Sequence, residues 1–166
     1  MKLDEILDTA KPELLDDAYA ALERTHLAHY EDAGEAFTRQ RLSNLYDMVV
    51  DAIRDRSLTH LIQGSSQIAK ERFEAGFDVS EVQSAFNDLE EAMWRRVIAE
   101  VPSDGLAEAI GILSTVVGAG KDALAREYVS LASHRRVPSL DLTALFGGTN
   151  SLGMASPDLN VPEEDQ

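Results

Sequence analysis

Apolar residues recur along most of this chain at spacings of three and four, the interval that gathers them on one face of an α-helix. No stretch shows the two-residue alternation of a half-buried strand joined by hairpin turns. The pattern predicts an all-α fold. Residues 2–9 read as a short first helix, and Pro12 stands where proline suits the first turn of a second, expected over 12–30 with Leu14, Leu15, Tyr19, Leu22 and Leu27 as its buried stripe. A third helix is expected over 34–56, its apolar face made by Leu42, Leu45, Tyr46, Val49 and Ile53 and its opposite face by Arg39, Arg41, Asp47, Asp51 and Asp55.

The next segment, 58–75, is more polar and carries Gly64, Ser65 and Ser66 at its middle, which points to close helix packing ahead of a functional surface. Gly76 is placed to stop it in a left-handed conformation. Asp78 followed by Glu81 has the logic of a capping box, and the helix it opens reaches about residue 101 with Val82, Phe86, Leu89, Met93 and Val97 facing the core. Pro102 breaks that helix and Ser103 or Asp104 can cap another. Leu106, Ile110, Leu113, Val117, Leu124, Tyr128 and Leu131 then form a heptad-like seam. Unbroken, this last helix spans about 30 residues, roughly 45 Å; Gly118 and Gly120 mark where a kink would otherwise fall.

From Val137 the composition changes, with three of the chain's five prolines, turn residues and neither Lys nor Arg. The expected organisation is therefore a five- or six-helix bundle over 1–136 with a long C-terminal helix, followed by a disordered acidic tail over 137–166. Within the tail, LDLTALF offers one apolar turn that could dock on the bundle or on a partner.

Charge narrows the function. Fifteen Lys and Arg against thirty Asp and Glu leave a net charge of −15, a field that repels phosphate backbones and anionic lipid heads. Neither nucleic acid nor membrane is expected as a partner. The start of the chain lacks the basic and apolar stretches of a secretory leader, and no apolar run approaches the ~20 residues of a membrane span, so a cytoplasmic location is expected. The absence of cysteine removes disulfides, thiolate metal sites and cysteine nucleophiles.

Ile68 to Val97, read as IAKERFEAGFDVSEVQSAFNDLEEAMWRRV, resembles the N-terminal domain of the RsbT co-antagonist proteins of the stressosome; a related helical module precedes the helix-turn-helix region of some PucR-type regulators. The residues that carry the likeness are Arg72, Gly76, Phe77, Val79, Glu81, Val82, Phe86, Leu89 and Trp94, and GEAFTRQRLSNLYDMVVDAIRDR before them looks like the family's earlier helix. The resemblance covers about residues 5–133. It implies a sensory or scaffold domain that often dimerises and passes a signal to an output domain; none is expected within this length, so output would run through a separate protein. Arg72, Gly76, Phe77, Glu81, Phe86 and Trp94 each also have a structural reading: a helix stop at Gly76, core positions for Phe77, Phe86 and Trp94, and an acid partner for Arg72.

Other constellations are weaker. His60 opens HLIQGSS, which looks like the phosphoacceptor segment of histidine phosphotransfer domains, where small residues one turn later leave space for a receiver; Gln63 stands where a cation would steady the phosphoryl group. Glu23 and His26 make one E-x-x-H, whereas a di-iron bundle needs two. His26 and His29, three apart, do not define a metal site without further ligands. GAGK at 118–121 lacks the first glycine and the final Ser or Thr of a phosphate loop. Arg95, Arg96, Arg135 and Arg136 lie near helix C-termini, where cations oppose the dipole. No residue is expected to be catalytic and no cofactor or metal is expected. The reading is a non-enzymatic regulatory module working through a protein partner and a homodimer, with phosphotransfer through His60 and small-molecule sensing as alternatives.

Overall fold

The computed structural model describes residues 2–136, in which the helical periodicity is realised as α1 (Leu3–Arg24), α2 (Ala28–Ala33), α3 (Glu35–Asp55), α4 (Thr59–Glu74), α5 (Val79–Glu100) and α6 (Ser103–Arg136). The fold is all-α. One compact unit comprises Met1–Ser133; the second, His134–Gln166, is described only to the end of α6, and the tail with its LDLTALF segment lies outside the described residues.

α1 packs along α5 and α3, α3 meets α4, α5 and the short α2, and α4 touches α5. The stripes expected on the third and fifth helices are the ones that turn inward: Leu42, Leu45, Tyr46 and Val49 are buried on α3, and Val82, Phe86, Leu89, Met93 and Val97 on α5. Ile53 is partly buried against the same core. Tyr46 is fully buried and donates to the Leu7 carbonyl at 2.6 Å, tying α3 to α1 and pushing the phenol's ionisation far above its usual range by burial. Tyr128 on α6 donates to the Phe77 carbonyl at 3.2 Å, and burial raises its hydroxyl to about 12.

Two expectations change and one open alternative is decided. The two N-terminal helices expected over 2–9 and 12–30 are one helix, α1, which runs through Pro12. Ile6, Leu7, Ala10, Leu14, Ala18 and Leu22 bury a single stripe on both sides of the proline, while Pro12 itself faces solvent, where the Asp8 carbonyl that loses its donor can be hydrated. Secondly, that helix stops at Arg24 and does not reach Tyr30: Thr25 closes it, His26 takes a left-handed φ of 51°, and the chain restarts as α2. The bend lets Tyr30 place its ring edge-on to Phe77, 4.9 Å between centroids. Of the two readings of the last helix the unbroken one holds: α6 is continuous over 34 residues, about 51 Å long, with no break at its glycines. Gly120 serves contact instead of a kink, since a Cβ there would sit 3.1 Å from Phe86, 3.2 Å from Ser65 and 3.4 Å from Leu61.

Candidate functional site

The residues 72–81 form a turn built from local rules and then loaded with buried charge. α4 ends in a Schellman motif: the Phe77 amide donates to the Arg72 carbonyl at 2.9 Å and the Gly76 amide to the Phe73 carbonyl at 3.1 Å. Gly76 supplies the positive φ of 85° that this closure requires. Two residues on, the expected capping box is present: the Asp78 side chain accepts from the Glu81 amide, Glu81 Oε2 accepts from the Asp78 amide at 2.9 Å, and the Ser80 amide adds a further bond to the Asp78 side chain at 2.8 Å. The Ser80 hydroxyl and amide bonds hold the Asp78 carboxyl below its usual range.

This turn delivers Arg72 into the bundle. Its side chain is only 3% exposed, lies 4.7 Å from the Phe37 ring centre and 5.4 Å from that of Phe77, and has the Tyr30 hydroxyl beside it. Burial raises the Tyr30 phenol's ionisation above its ordinary value, and the neighbouring Arg72 pulls the other way. The expected acid partner is Glu71, at 3.9 Å, which is shared with Arg41 at 3.2 Å and also accepts from Gln67. Glu81, nearly buried, faces α2 as well: His29 Nδ1 lies 2.7 Å from its Oε2, the His29 amide donates to its Oε1 at 3.3 Å, and the His29 ring rests on Phe77 at 5.1 Å. Arg72, Gly76, Phe77 and Glu81 therefore act as one unit joining α2, α4 and α5. Sequence reasoning missed His29, Tyr30 and Phe37, which complete it from distant positions with no spacing signal to announce them.

Phe86 is buried as expected, against the Gly120 crossing. Trp94 is not a core residue: it is 38% exposed, with Ile98, one turn on, 47% exposed. Met93 occupies the inward position of the stripe, and the next residue of a helix points about 100° away from it.

His60 is exposed in the first turn of α4. The small residues after it are spent on internal packing: a Cβ on Gly64 would lie 2.1 Å from the Met48 sulfur, and Ser65 is completely buried. That removes the steric argument for a receiver docking beside His60. Glu23 lies in the last turn of α1 and His26 in the left-handed bend beyond it, paired with Glu31 at 2.8 Å, so the E-x-x-H does not present one helical face and His26 and His29 do not share a helix. Among the described residues no group of three or more His, Asp or Glu is gathered to hold a metal ion, and no helix is long and apolar enough to cross a membrane. Arg96 pairs with Glu13 and Glu100, and Arg95 with Glu91. A broad groove of about 1110 Å³ opens where α3 ends and α6 begins, lined by Leu58, Val101, Pro102, Ile112 and Val116 together with Arg54 and Arg56.

Comparison with curated proteins found no match, and comparison with solved structures found none. The family model described as the RsbT co-antagonist protein rsbRD N-terminal domain matches residues 8–136, a span that takes in the whole Arg72 unit and nearly all of the six helices, and the chain belongs to that family.

Proposed function

We propose that this chain is a non-catalytic signalling module of the cytoplasm that regulates another protein by binding it, and that a second copy associates through α6. The observation that carries the protein-contact reading is the pair Trp94 and Ile98, a large aromatic and an aliphatic side chain displayed one turn apart on α5; the other large apolar side chains exposed among the described residues, Ile62, Ile112 and Val129, lie on α4 and α6. Aromatic residues of this kind supply the anchors of protein interfaces. The net charge of −15 directs the search to partners with a basic face and away from nucleic acid. The family's name ties its members to RsbT, so an RsbT-type protein is the first partner to test.

Immobilised full-length chain is expected to retain such a partner, and Trp94→Ala/Ile98→Ala to lose it with its helical circular dichroism unchanged; equal retention by both would sink the α5 surface. A chain ending at Arg136 run beside them separates the bundle from the tail as the recognition element. Sedimentation across a wide concentration range tests the second copy, and a monomer throughout would remove it. A second reading, small-molecule sensing, draws on the groove between the end of α3 and the start of α6. It is checked by screening metabolite pools for compounds that raise the unfolding midpoint.

A further inference from the structure

The seam between α3 and α4 is marked at two levels. At one, Arg41 Nη1 lies 3.2 Å from Glu71 Oε2; seven residues later on α3 and seven earlier on α4, Met48 meets Gly64, so the two helices run antiparallel. Leu45 and Ile68, between those levels, line one cavity. At the second level the Met48 sulfur occupies the notch that a side chain on Gly64 would fill, 2.1 Å from where its Cβ would stand, with the thioether methyl 3.2 Å from the same point. A methionine of α3 thus takes the place of the side chain that α4 lacks. Glycine inside a helix costs about 1 kcal/mol against alanine, so at this level α4 depends on the seam and not on its own propensity.

Of the two methionines among the described residues, Met93 is fully buried, whereas Met48 is half-buried against the core and keeps part of its surface in water. The chain has no cysteine, so no thiol of its own competes for an oxidant. We propose that Met48 is an oxidant-sensitive modification site, whose conversion to the sulfoxide by a peroxide loosens the α3–α4 seam. In the step with hydrogen peroxide, a sulfur lone pair attacks one peroxide oxygen and the S–O bond forms as the O–O bond breaks. The proton of the transferred oxygen passes to the departing hydroxide; sulfur is oxidised by two electrons and the peroxide is reduced to water. The thioether, apolar and adaptable, becomes a polar group. Hydration of its oxygen draws the side chain out of the notch, and Gly64 has nothing of its own to fill the space. The effect reaches the other end of the seam, where the same two helices hold Arg41 on Glu71 and the Arg72 guanidinium 4.7 Å from the Phe37 ring centre. Methionine sulfoxide reductases return the sulfoxide to the thioether, so the change is reversible. It is a property of the chain itself and does not depend on any partner protein.

The test treats the full-length protein with hydrogen peroxide, removes the excess with catalase, and follows peptide mass mapping, thermal unfolding and amide hydrogen exchange. The expected result is one added oxygen at Met48 ahead of Met93, a midpoint lowered by several degrees, exchange that quickens more across α4 than across α5, and recovery after treatment with the reductases. Met48→Leu conserves volume and is expected to fold and to keep its midpoint through the same treatment, which separates Met48 from Met1 and Met154. Met48→Gln, polar and of similar length, is expected to lower the midpoint without any peroxide. Met48 left intact after Met93 has reacted, an oxidised Met48 with an unchanged midpoint, a Met48→Leu protein that loses as much as the native chain, or a Met48→Gln protein as stable as Met48→Leu would each overturn the proposal.

Discussion

Arg54 and Arg72 sit near the C-terminal ends of consecutive helices and are held in opposite ways. Arg54, on α3, is 42% exposed and reaches three carboxylates: Asp4 at 3.7 Å, Asp8 by a close bond, and Asp51 at 2.8 Å. Arg72, on α4, is 3% exposed and has a single carboxylate, at 3.9 Å, with the faces of Phe37 and Phe77 supplying the rest of its environment. Exposed pairs compete with water and salt, so the two α1 acids around Arg54, Asp4 and Asp8, stabilise the α1–α3 contact only weakly, and Asp51 on α3 itself adds nothing across it. The two rings around Arg72 act on a desolvated cation, where ring quadrupole attraction is strongest and removal of the charge leaves a hole in the core. The number of acidic neighbours is thus a poor guide to what an arginine does for the fold; its access to water decides.

The strongest attempt to break this comparison is Arg72→Ala. It is expected to cost about 3–5 kcal/mol, read by urea denaturation, because a buried charge and the packing of its stem are lost together. Tolerance of the change would mean that the rings and not the cation hold the α4–α5 turn. The second test separates those two. Phe37→Leu is expected to cost about 1 kcal/mol in the native background and measurably less in an Arg72→Met background, where Arg41, 5.2 Å from the same ring, still contributes; the difference is the part of the ring's effect that acts through Arg72 in a double-mutant cycle.

Asp88 sharpens the rule from the acidic side. Its Oδ2 is buried without a hydrogen-bond partner among the described residues, and desolvation, with Glu91 nearby, raises its ionisation despite Arg24. A carboxyl whose folded pKa is raised penalises the fold above that pKa, and the penalty vanishes below the unfolded value of about 3.9. Asp88→Asn is therefore expected to stabilise the protein at neutral pH and to lose that advantage as the pH falls to 3, measured as unfolding midpoints of both proteins against pH. The smallest effect is expected from Arg54→Gln: a slight destabilisation in low salt that disappears in 1 M NaCl, where screening has already removed what the ion pairs supply. A loss that survives high salt would show that Arg54 is not the water-exposed counterpart of Arg72 described above.

How much of this was readable beforehand depends on distance along the chain. The cores of α3 and α5, the stop at Gly76 and the box at Asp78 and Glu81 were all legible, because each rests on residues within a turn or two of one another. The bend at Thr25 to Leu27 was not, since it contains neither glycine nor proline and exists to bring Tyr30 against Phe77, 47 positions later. Pro12 misled for a related reason: local preference says that proline starts a helix, while the apolar stripe on both sides of it is worth more than the one hydrogen bond lost. Trp94 looked like core by residue type, yet its register places it one step off the stripe that Met93 occupies.

What the chain alone determined, then, is the all-α character, most helix limits and the membership of the motif residues in one helical hairpin. These follow from periodicity and capping, which act over a few residues. Only the tertiary structure decided that Arg72 is walled in by Phe37, Phe77 and Tyr30, that Gly64 and Gly120 serve close approach, and that Trp94 faces water. Those outcomes depend on which helices meet and at what depth, and burial, which sets the strength of every charge and ring involved, is a property of the packed bundle and not of any segment within it.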